Sequence, residues 1–287
     1  MDTLSATDTY VSMLLALPNL QPATLLSIFF LTIARLMPII VLAPFFGSKN
    51  VPRVIRMMFG IALAMIFLPQ NILHVKANLT FNVTFIGYLI KELTMGSILG
   101  FLATVPFYIA SMAGTMIDHQ RGSSSLQVTD PNTQTQTSSI GVLYNYMLIA
   151  IFFALNGPFI FFDGIASSYQ LIPVDGLINP ALFSMNTSLW KLIVKLFATM
   201  MNLSIQLSAP ALIGILITDM FLGIANRLAP QVQIVFLGMS LKSWIGIALM
   251  AAAWALIIQV MGKEAINWFK SINQLIQQVG SYYMKTT

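Results

Sequence analysis

The chain has 287 residues, of which 57% are hydrophobic and 8% are charged, with a formal net charge of +5 and no cysteine. Soluble domains carry about 25% charged residues, so a mean hydropathy of +0.82 excludes an ordinary soluble protein and predicts an integral membrane protein. Basic residues are scattered between apolar windows, so we expect them to set topology and meet anionic membrane lipids, with no binding of nucleic acid.

Most of the long apolar windows contain a proline, a glycine pair or a charge. The windows are Leu25–Phe46 with Arg35, Pro38 and Pro44, Leu93–Ile117 with Pro106, Ile140–Phe162 with Gly157 and Pro158, and Leu192–Ile217 with Pro210. A chain that crosses lipid must satisfy its backbone polar groups internally, so helix breaks survive only against protein or a water-filled cavity. The pattern therefore predicts broken helices packed around an interior.

The remaining apolar segments are less regular. Met57–Leu68 is too short to span about 30 Å of hydrocarbon, so it needs Asn71–Lys76 as an extension or shelter from neighbouring protein. Lys91–Glu92 is expected to interrupt the helix before Leu93. Ser243–Met261 is expected to be one uninterrupted span, and the tail from Gly262 to be an interfacial helix.

Basic residues should fix the membrane topology, but the sides that they predict for the first hairpin and for the tail are inconsistent. Lys49, Arg53 and Arg56 place the mouth of the first hairpin in the cytoplasm, yet six crossings would leave the lysines of the tail outside. Either one apolar segment is re-entrant or the helices do not cross a bilayer conventionally.

A stripe of small residues and a polar segment follow one another in the middle of the chain. The stripe comprises Gly96, Gly100, Ala103, Ala110 and Gly114. It favours close helix packing within the chain, with contact between subunits as the alternative. The segment Asp118–Ser139 shows no helical or strand periodicity. It is either a solvated connector or a segment that folds into or across an aqueous passage.

Charged and amide side chains within the apolar windows are few. Glu92 is expected to pair with Lys91 at the membrane interface, with a proton-relay role as the less favoured alternative. Asp219 and Arg227 lie two helical turns apart, so we expect a structural bridge made through a bend or another helix. Asn202 and Gln206 lie on one helix face and could bond another helix or line water.

No catalytic, cofactor or metal motif is present in the sequence. The two histidines, His74 and His119, are far apart and lack the spacing of a metal site. Neither a nucleophile elbow nor a phosphate-binding glycine loop occurs. We therefore expect a protein that is not an enzyme and has no cofactor.

Several motifs, in order from about residue 30 to 245, resemble one family. The longest is Thr218–Lys242, and the others are Ala34–Pro38, Pro44–Gly47, Val51–Arg56, Lys91–Gly96, Gly100–Phe101, Ala113–Gly114, Ile117–Asp118 and Asp130–Pro131. Together they resemble the FliR/SctT export-gate proteins of flagellar and virulence type III secretion systems. The polar 118–139 segment and Asn156–Pro158 look closer to the virulence branch.

The resemblance implies an all-α membrane fold in which broken helical hairpins pack into a helical, multi-subunit export gate. Residues 1–287 would form one membrane domain, with SctR-like helices and a plug loop at 1–190 and an SctS-like hairpin with its tail at 191–287. The implied partners are SctR-like and SctS-like subunits, SctU-like and SctV-like components, and unfolded protein substrates. The implied location is the bacterial inner membrane, within the secretion-system basal body.

The resemblance also assigns roles to residues. The plug loop or gate would comprise Gly122, Ser123, Ser124, Ser125, Leu126, Gln127, Asp130 and Pro131. Residues with a structural or assembly role would be Arg35, Pro44, Gly47, Arg53, Arg56, Glu92, Gly96, Gly100, Gly114, Asp118, Asp219, Arg227, Pro230 and Lys242.

Two other functions remain open at this point. A secondary transporter would use broken helices to build a midplane substrate site, and would show symmetry between its halves and a buried charged coordinating group. A membrane scaffold would have no conduit, and would tolerate replacement of the polar segment.

Overall fold

In the computed structural model the described residues are 22–46, 51–75, 79–122, 138–176, 188–228 and 234–286. All regular secondary structure in these ranges is helical, which confirms the predicted all-α membrane fold. The helices are α1 (Pro22–Leu42), α2 (Arg53–His74), α3 (Val83–Gln120), α4 (Ser139–Ala154), α5 (Gly157–Leu171), α6 (Ser188–Leu228), α7 (Ile234–Ala252) and α8 (Trp254–Thr286), with a 3-10 turn at Pro44–Phe46.

Several of these helices are long and apolar enough to cross a membrane. In the described ranges they are α1, α2, α3 and the Val194–Leu228 part of α6. The interrupted pairs Ser139–Ala154 with Gly157–Leu171 and Gly238–Ala252 with Trp254–Gln274 raise the number from 4 to 6 if each pair is one span. An interrupted pair is the form that a broken span or a re-entrant segment takes.

Helices continue through three of the prolines at which the sequence predicts breaks. They are Pro38 in α1, Pro106 in α3 and Pro210 in α6. A proline removes only one backbone hydrogen bond, the one to the carbonyl four residues earlier. Membrane helices tolerate this loss where other parts of the protein pack around it. The predicted breaks at these prolines are therefore wrong.

The break predicted between Ile140 and Phe162 is confirmed. Helix α4 ends at Ala154, and Asn156 takes a left-handed backbone conformation with φ of 57°. Asparagine tolerates this conformation better than most residues. A Cβ atom on Gly157 would lie 2.1 Å from a ring carbon of Phe152, so the turn requires glycine there.

A second break falls where the sequence predicts one continuous span, Ser243–Met261. Helix α7 ends at Ala252, and α8 begins at Trp254. The intervening Ala253 still donates its N–H to the Leu249 carbonyl at 2.9 Å and accepts from Ile257 at 3.0 Å. The expected single span is wrong, and no proline or glycine marks the break in the sequence.

Helices α2 and α3 are longer than their apolar windows because polar residues find partners inside the protein. Helix α2 extends to His74 and includes Asn71, whose side-chain amide donates to the Thr32 hydroxyl at 2.8 Å. This confirms that the helix containing the short apolar window Met57–Leu68 extends past Leu68. Helix α3 passes through Lys91–Glu92 without interruption, so the break expected there is wrong.

The chain divides into two compact units. Unit 1 comprises Met1–Thr104, Phe159–Ser184 and Phe269–Thr287, and unit 2 comprises Val105–Pro158 and Met185–Trp268. Buried residues of α1 lie in the core of unit 1. The core also includes an aromatic group, in which the ring centroid of Phe161 lies 5.2 Å from that of Phe45 and 5.9 Å from that of Phe269. The tail helix α8 thus contributes Phe269 to this core, and the predicted interfacial position of the tail stays a prediction.

Unit 2 is built from the second half of α3 with α4, α6, α7 and the first part of α8. Its buried side chains include Ile117 on α3, Tyr144 and Phe152 on α4, and Ile215 on α6. Phe107 meets Phe152 edge to face, with 5.8 Å between the ring centroids. Aromatic pairs of this geometry stabilise beyond the area that they bury.

Glycines of the small-residue stripe let backbones of this chain approach each other. A Cβ atom on Gly96 would lie 2.1 Å from the Arg35 carbonyl oxygen, and one on Gly114 would lie 2.4 Å from the Gly141 nitrogen. A Cβ atom on Gly100 would lie 3.1 Å from the Cα atom of Ile39. For these three glycines the predicted packing within the chain is confirmed.

We expect Gly96→Ala to destabilise the protein by roughly 1–3 kcal/mol, because the added methyl group forces α1 and α3 apart. The matched control is Gly87→Ala in the same helix, where a Cβ atom meets nothing within 4 Å. It should leave stability unchanged or raise it slightly, since alanine restricts the unfolded chain. Thermal unfolding in detergent measures both, and equal melting temperatures would contradict the close approach.

Candidate gate site

A buried ion cluster joins α1 to α3 inside unit 1. Arg35 and Glu92 are both fully buried. The guanidinium Nε of Arg35 bonds one carboxylate oxygen of Glu92, and its Nη2 donates to the other at 2.8 Å. The Nζ atom of Lys91 lies 2.6 Å from the same carboxylate. Two-pronged pairing of this kind fixes both distance and orientation.

The two cations also bind the chain that leaves α5. Arg35 donates to the Ile172 carbonyl at 2.8 Å, while Lys91 donates to the carbonyls of Pro173, Val174 and Gly176 at 2.8 to 3.2 Å. Carbonyls at the end of a helix lack partners within it and carry partial negative charge. The cluster holds two cations and one carboxylate, so these carbonyls offset its excess positive charge.

Helix α5 adds two side chains to the cluster. Ser168 accepts from Nη1 of Arg35 at 3.2 Å, and the Tyr169 ring centroid lies 4.2 Å from the guanidinium carbon. The Tyr169 hydroxyl donates to the Thr32 carbonyl on α1 at 3.0 Å. We name the set of Arg35, Lys91, Glu92, Ser168 and Tyr169 the Arg35 cluster.

The Arg35 cluster is saturated, since its cations already have carboxylate, hydroxyl and carbonyl partners inside unit 1. The predicted pairing of Glu92 with Lys91 is confirmed, while its expected position at the membrane interface stays a prediction. Burying a charge is costly unless it is paired and hydrogen-bonded. The geometry therefore joins α1, α3 and α5, and the part played by residues 172–176 has no signal in the sequence.

A second polar group forms the neck of the polar segment in unit 2. Asp118 is 3% exposed. It accepts from the Ser138 hydroxyl and from the Ile140 N–H, the latter at 3.0 Å. It also pairs with Arg121, whose Nη2 lies 2.6 Å away. We name these residues, with Gly122, the neck.

Asp118 brings the two ends of the polar segment together. A carboxylate suits the first turn of α4, where free N–H groups and the helix dipole favour negative charge. Gly122 leaves α3 in a left-handed conformation with φ of 81°. The predicted plug residues Ser123, Ser124, Ser125, Leu126, Gln127, Asp130 and Pro131 lie outside the described residues, so their placement stays a prediction.

The α6–α7 hairpin carries another ion pair beside the neck. Asp219 on α6 pairs with Lys242 on α7, and the Gln120 amide lies 3.5 Å from the same carboxylate. Arg121 reaches the Ser243 hydroxyl at 3.4 Å. The end of α3 is thus tied to both helices of the hairpin within unit 2.

The predicted Asp219–Arg227 bridge is wrong. Asp219 pairs with Lys242, while Arg227 is exposed in the last turn of α6 and has no ion pair among the described residues. Eight residues rise about 12 Å along a helix, which is too far for a direct pair. The return of α7 alongside α6 supplies a nearer cation.

Three other assigned residues lie at or near the start of the 3-10 turn and of α2. Pro44 opens the 3-10 turn, and Arg53 begins α2. Arg56 follows in the first turn of α2, and its buried Nε has no hydrogen-bond partner within the part of the chain that the structure describes. Gly47 and Pro230 lie outside the described residues.

The described residues include no group of three or more histidine, aspartate or glutamate side chains that could hold a metal ion. The geometry offers two sets of structural ties and, within the same ranges, no assembled catalytic group.

Residues 26–267 match the family of bacterial export proteins, family 1. The chain belongs to this family, the FliR/SctT family. It is 28% identical to the flagellar biosynthetic protein FliR of Bacillus subtilis over 252 residues, which cover 88% of this chain and 95% of that protein.

Two relatives from secretion systems match a shorter part of the chain than FliR does. The secretion system apparatus protein SsaT of Salmonella typhimurium is 32% identical over 160 residues, covering 56% of this chain and 60% of that protein. Yop proteins translocation protein T of Yersinia pestis is 30% identical over 154 residues, covering 53% and 57%. The family resemblance drawn from the motifs is confirmed, and the closer likeness to the virulence branch stays a prediction.

We expect Glu92→Gln to destabilise this FliR/SctT family protein by roughly 3–5 kcal/mol, because it removes the carboxylate that pairs with both buried cations. The double variant Arg35→Met with Glu92→Gln should lose less than the two single variants combined. Thermal unfolding of all four proteins measures the coupling. Additive losses would contradict a direct buried pair.

We expect Asp118→Asn to open the neck, because a neutral amide no longer holds Arg121 and caps α4 less well. Trypsin should then cleave after Arg121 several-fold faster, as measured by mass spectrometry of the fragments. The control is Asp163→Asn, at an exposed position of α5, and it should cleave at the wild-type rate. Equal rates for Asp118→Asn and wild type would count against the neck.

Proposed function

We propose that this chain is the SctT-like subunit of a type III secretion export apparatus. With SctR-like and SctS-like subunits it forms the gated entrance of the protein-conducting channel across the bacterial inner membrane, within the basal body. SctU-like and SctV-like components are further partners, and unfolded proteins are the substrates. The chain has no enzymatic role and uses energy supplied elsewhere.

The observation that carries this proposal is the family match over residues 26–267. That range includes the Arg35 cluster, the neck and the α6–α7 hairpin. The names of the relatives, flagellar biosynthetic protein and secretion system apparatus protein, refer to export machinery.

The neck supports a gating role for the polar segment. Asp118 holds both ends of the polar segment at one point, so displacement of the segment by a substrate need not separate α3 from α4. In the closed gate this segment, together with methionine and phenylalanine side chains, blocks the passage to ions. An unfolded substrate that enters from the cytoplasm displaces the segment.

Large apolar side chains exposed on the helices support a multi-subunit assembly. On α2, Val54, Met58 and Ile66 are about two-thirds exposed, and Met220 and Phe221 on α6 are similarly exposed. Such surfaces need lipid or other subunits to cover them.

The secondary-transporter alternative gains no support from the buried charges. A transported solute needs polar groups that are free to bind it. In the Arg35 cluster, Glu92 is held by two cations, and Lys91 is held by three carbonyls.

Deletion of Ser123–Thr129 should make membranes that contain the assembled complex leak ions, because the shortened segment no longer fills the passage. Potassium release from proteoliposomes measures the leak. Replacing Ser123, Ser124 and Ser125 by alanine is the matched control, since it preserves the segment's length, and it should leave the membrane tight. A complex that assembles and stays as tight as wild type after the deletion would contradict the gate.

A further inference from the structure

A small cavity in unit 2 has apolar walls and one carboxylate. The space open to the centre of a water molecule is about 20 Å³. Helices α3, α4 and α6 supply apolar side chains that include Ile109, Leu148 and Leu207, while α8 supplies Glu264 and Trp268. Glu264 is the one ionisable side chain among the described residues that line the cavity. We name this cavity the Glu264 pocket.

The carboxylate of Glu264 is partly buried, and it makes no hydrogen bond or ion pair with any residue that the structure describes. The buried carboxylates of Glu92 and Asp118 differ, because each pairs with a cation of this chain. Removing a charge from water is costly unless the charge is paired. Glu264 is therefore open to a cation that comes from outside the chain.

A small cation fits the Glu264 pocket better than a water molecule does. A buried water typically makes about three hydrogen bonds, and Glu264 is the one carboxylate or amide that the described lining offers. Trp268, one helical turn beyond Glu264, lines the same cavity, and an aromatic wall can attract a cation as well as enclose it. A primary ammonium group is close to water in size, whereas a trimethylammonium group is too large for this space.

The residue before Glu264 supplies a charge of the opposite sign outside the pocket. Lys263 is exposed and forms no ion pair with Glu264 or with another described residue. Hydrocarbon would leave both charges without partners at a large cost, so this part of α8 belongs at the level of lipid headgroups. The bend agrees with that position, since Trp254–Gln274 departs from the direction of Gly238–Ala252 by 63°.

We propose that the Glu264 pocket binds the primary amine of a phospholipid headgroup, as in phosphatidylethanolamine. The lipid ammonium enters the pocket and pairs with Glu264, while the phosphate, a two-carbon link away, meets the ammonium of Lys263 outside. A lysine of a partner protein would match Glu264 but would bring no anion for Lys263. The two neighbouring charges therefore match a zwitterion better than a lone cation. This lipid site goes beyond the proposed function, and all of its residues belong to this chain.

The test measures lipid binding by the purified full-length chain in detergent. Native mass spectrometry with added phosphatidylethanolamine, phosphatidylcholine or phosphatidylglycerol gives the affinity for each lipid. We expect phosphatidylethanolamine to bind about tenfold more tightly than the other two, because neither offers a primary ammonium that can pair with Glu264. Glu264→Gln should remove this preference, and Lys263→Gln should weaken the binding of phosphatidylethanolamine less.

The matched control is Lys270→Gln, because Lys270 is an exposed lysine of the same helix that does not line the pocket. It should bind the three lipids like wild type. Thermal unfolding of Glu264→Gln should also match wild type, since the side chain has no partner among the described residues to lose. Equal affinities of the wild-type chain for the three lipids, or an unchanged preference in Glu264→Gln, would overturn the inference.

Carbodiimide coupling in membranes that contain phosphatidylethanolamine distinguishes a lipid amine from a lysine of a partner. The reagent activates the Glu264 carboxylate, the bound amine displaces it to form an amide, and the carbodiimide leaves as a urea that carries the lost oxygen. We expect a lipid adduct on the peptide that contains Glu264, and none on Glu264→Gln. A cross-link to a partner subunit, or no lipid adduct, would overturn the inference, whereas failure of the chain to assemble with other subunits would overturn only the proposed function.

Discussion

The cost of burying charge is the constraint on which unit 1 depends. Arg35 and Glu92 are fully buried, and Lys91 adds a second cation. These charges are stable there only because α1, α3 and α5 each supply a partner. Any rearrangement that separates these helices would leave a buried charge without its partner. The free energy lost is larger than that for the loss of an apolar contact. The cluster therefore specifies one arrangement of the three helices.

Unit 2 uses the same kind of chemistry for a different purpose. Asp118 is also buried, but its partners lie at the two ends of a polar segment and at the start of α4. The tie fixes the end of α3 against the start of α4. The Arg35 cluster thus suits a scaffold, and the neck suits an attachment point for a gate.

The surface of the chain complements these interior ties. Large apolar side chains are exposed on α2 and α6. In the proposed multi-subunit gate, lipid and neighbouring subunits cover these side chains.

The sequence by itself determined the membrane character, the helical class and the family. The apolar composition requires lipid or other protein around most side chains. The order of the family motifs can be read directly from the chain. It also located the break at Gly157–Pro158 and the packing glycines, because these signals are local. Tertiary structure decided what local signals cannot encode. Helices run through Pro38, Pro106 and Pro210, where the sequence alone predicts breaks. Helix α3 runs through the Lys91–Glu92 pair because Arg35 and the carbonyls of Pro173, Val174 and Gly176, far along the chain, supply its counter-charge and hydrogen bonds. Asp219 meets Lys242 and not Arg227 for the same reason, since the partner of a buried or half-buried charge is chosen by distance in space.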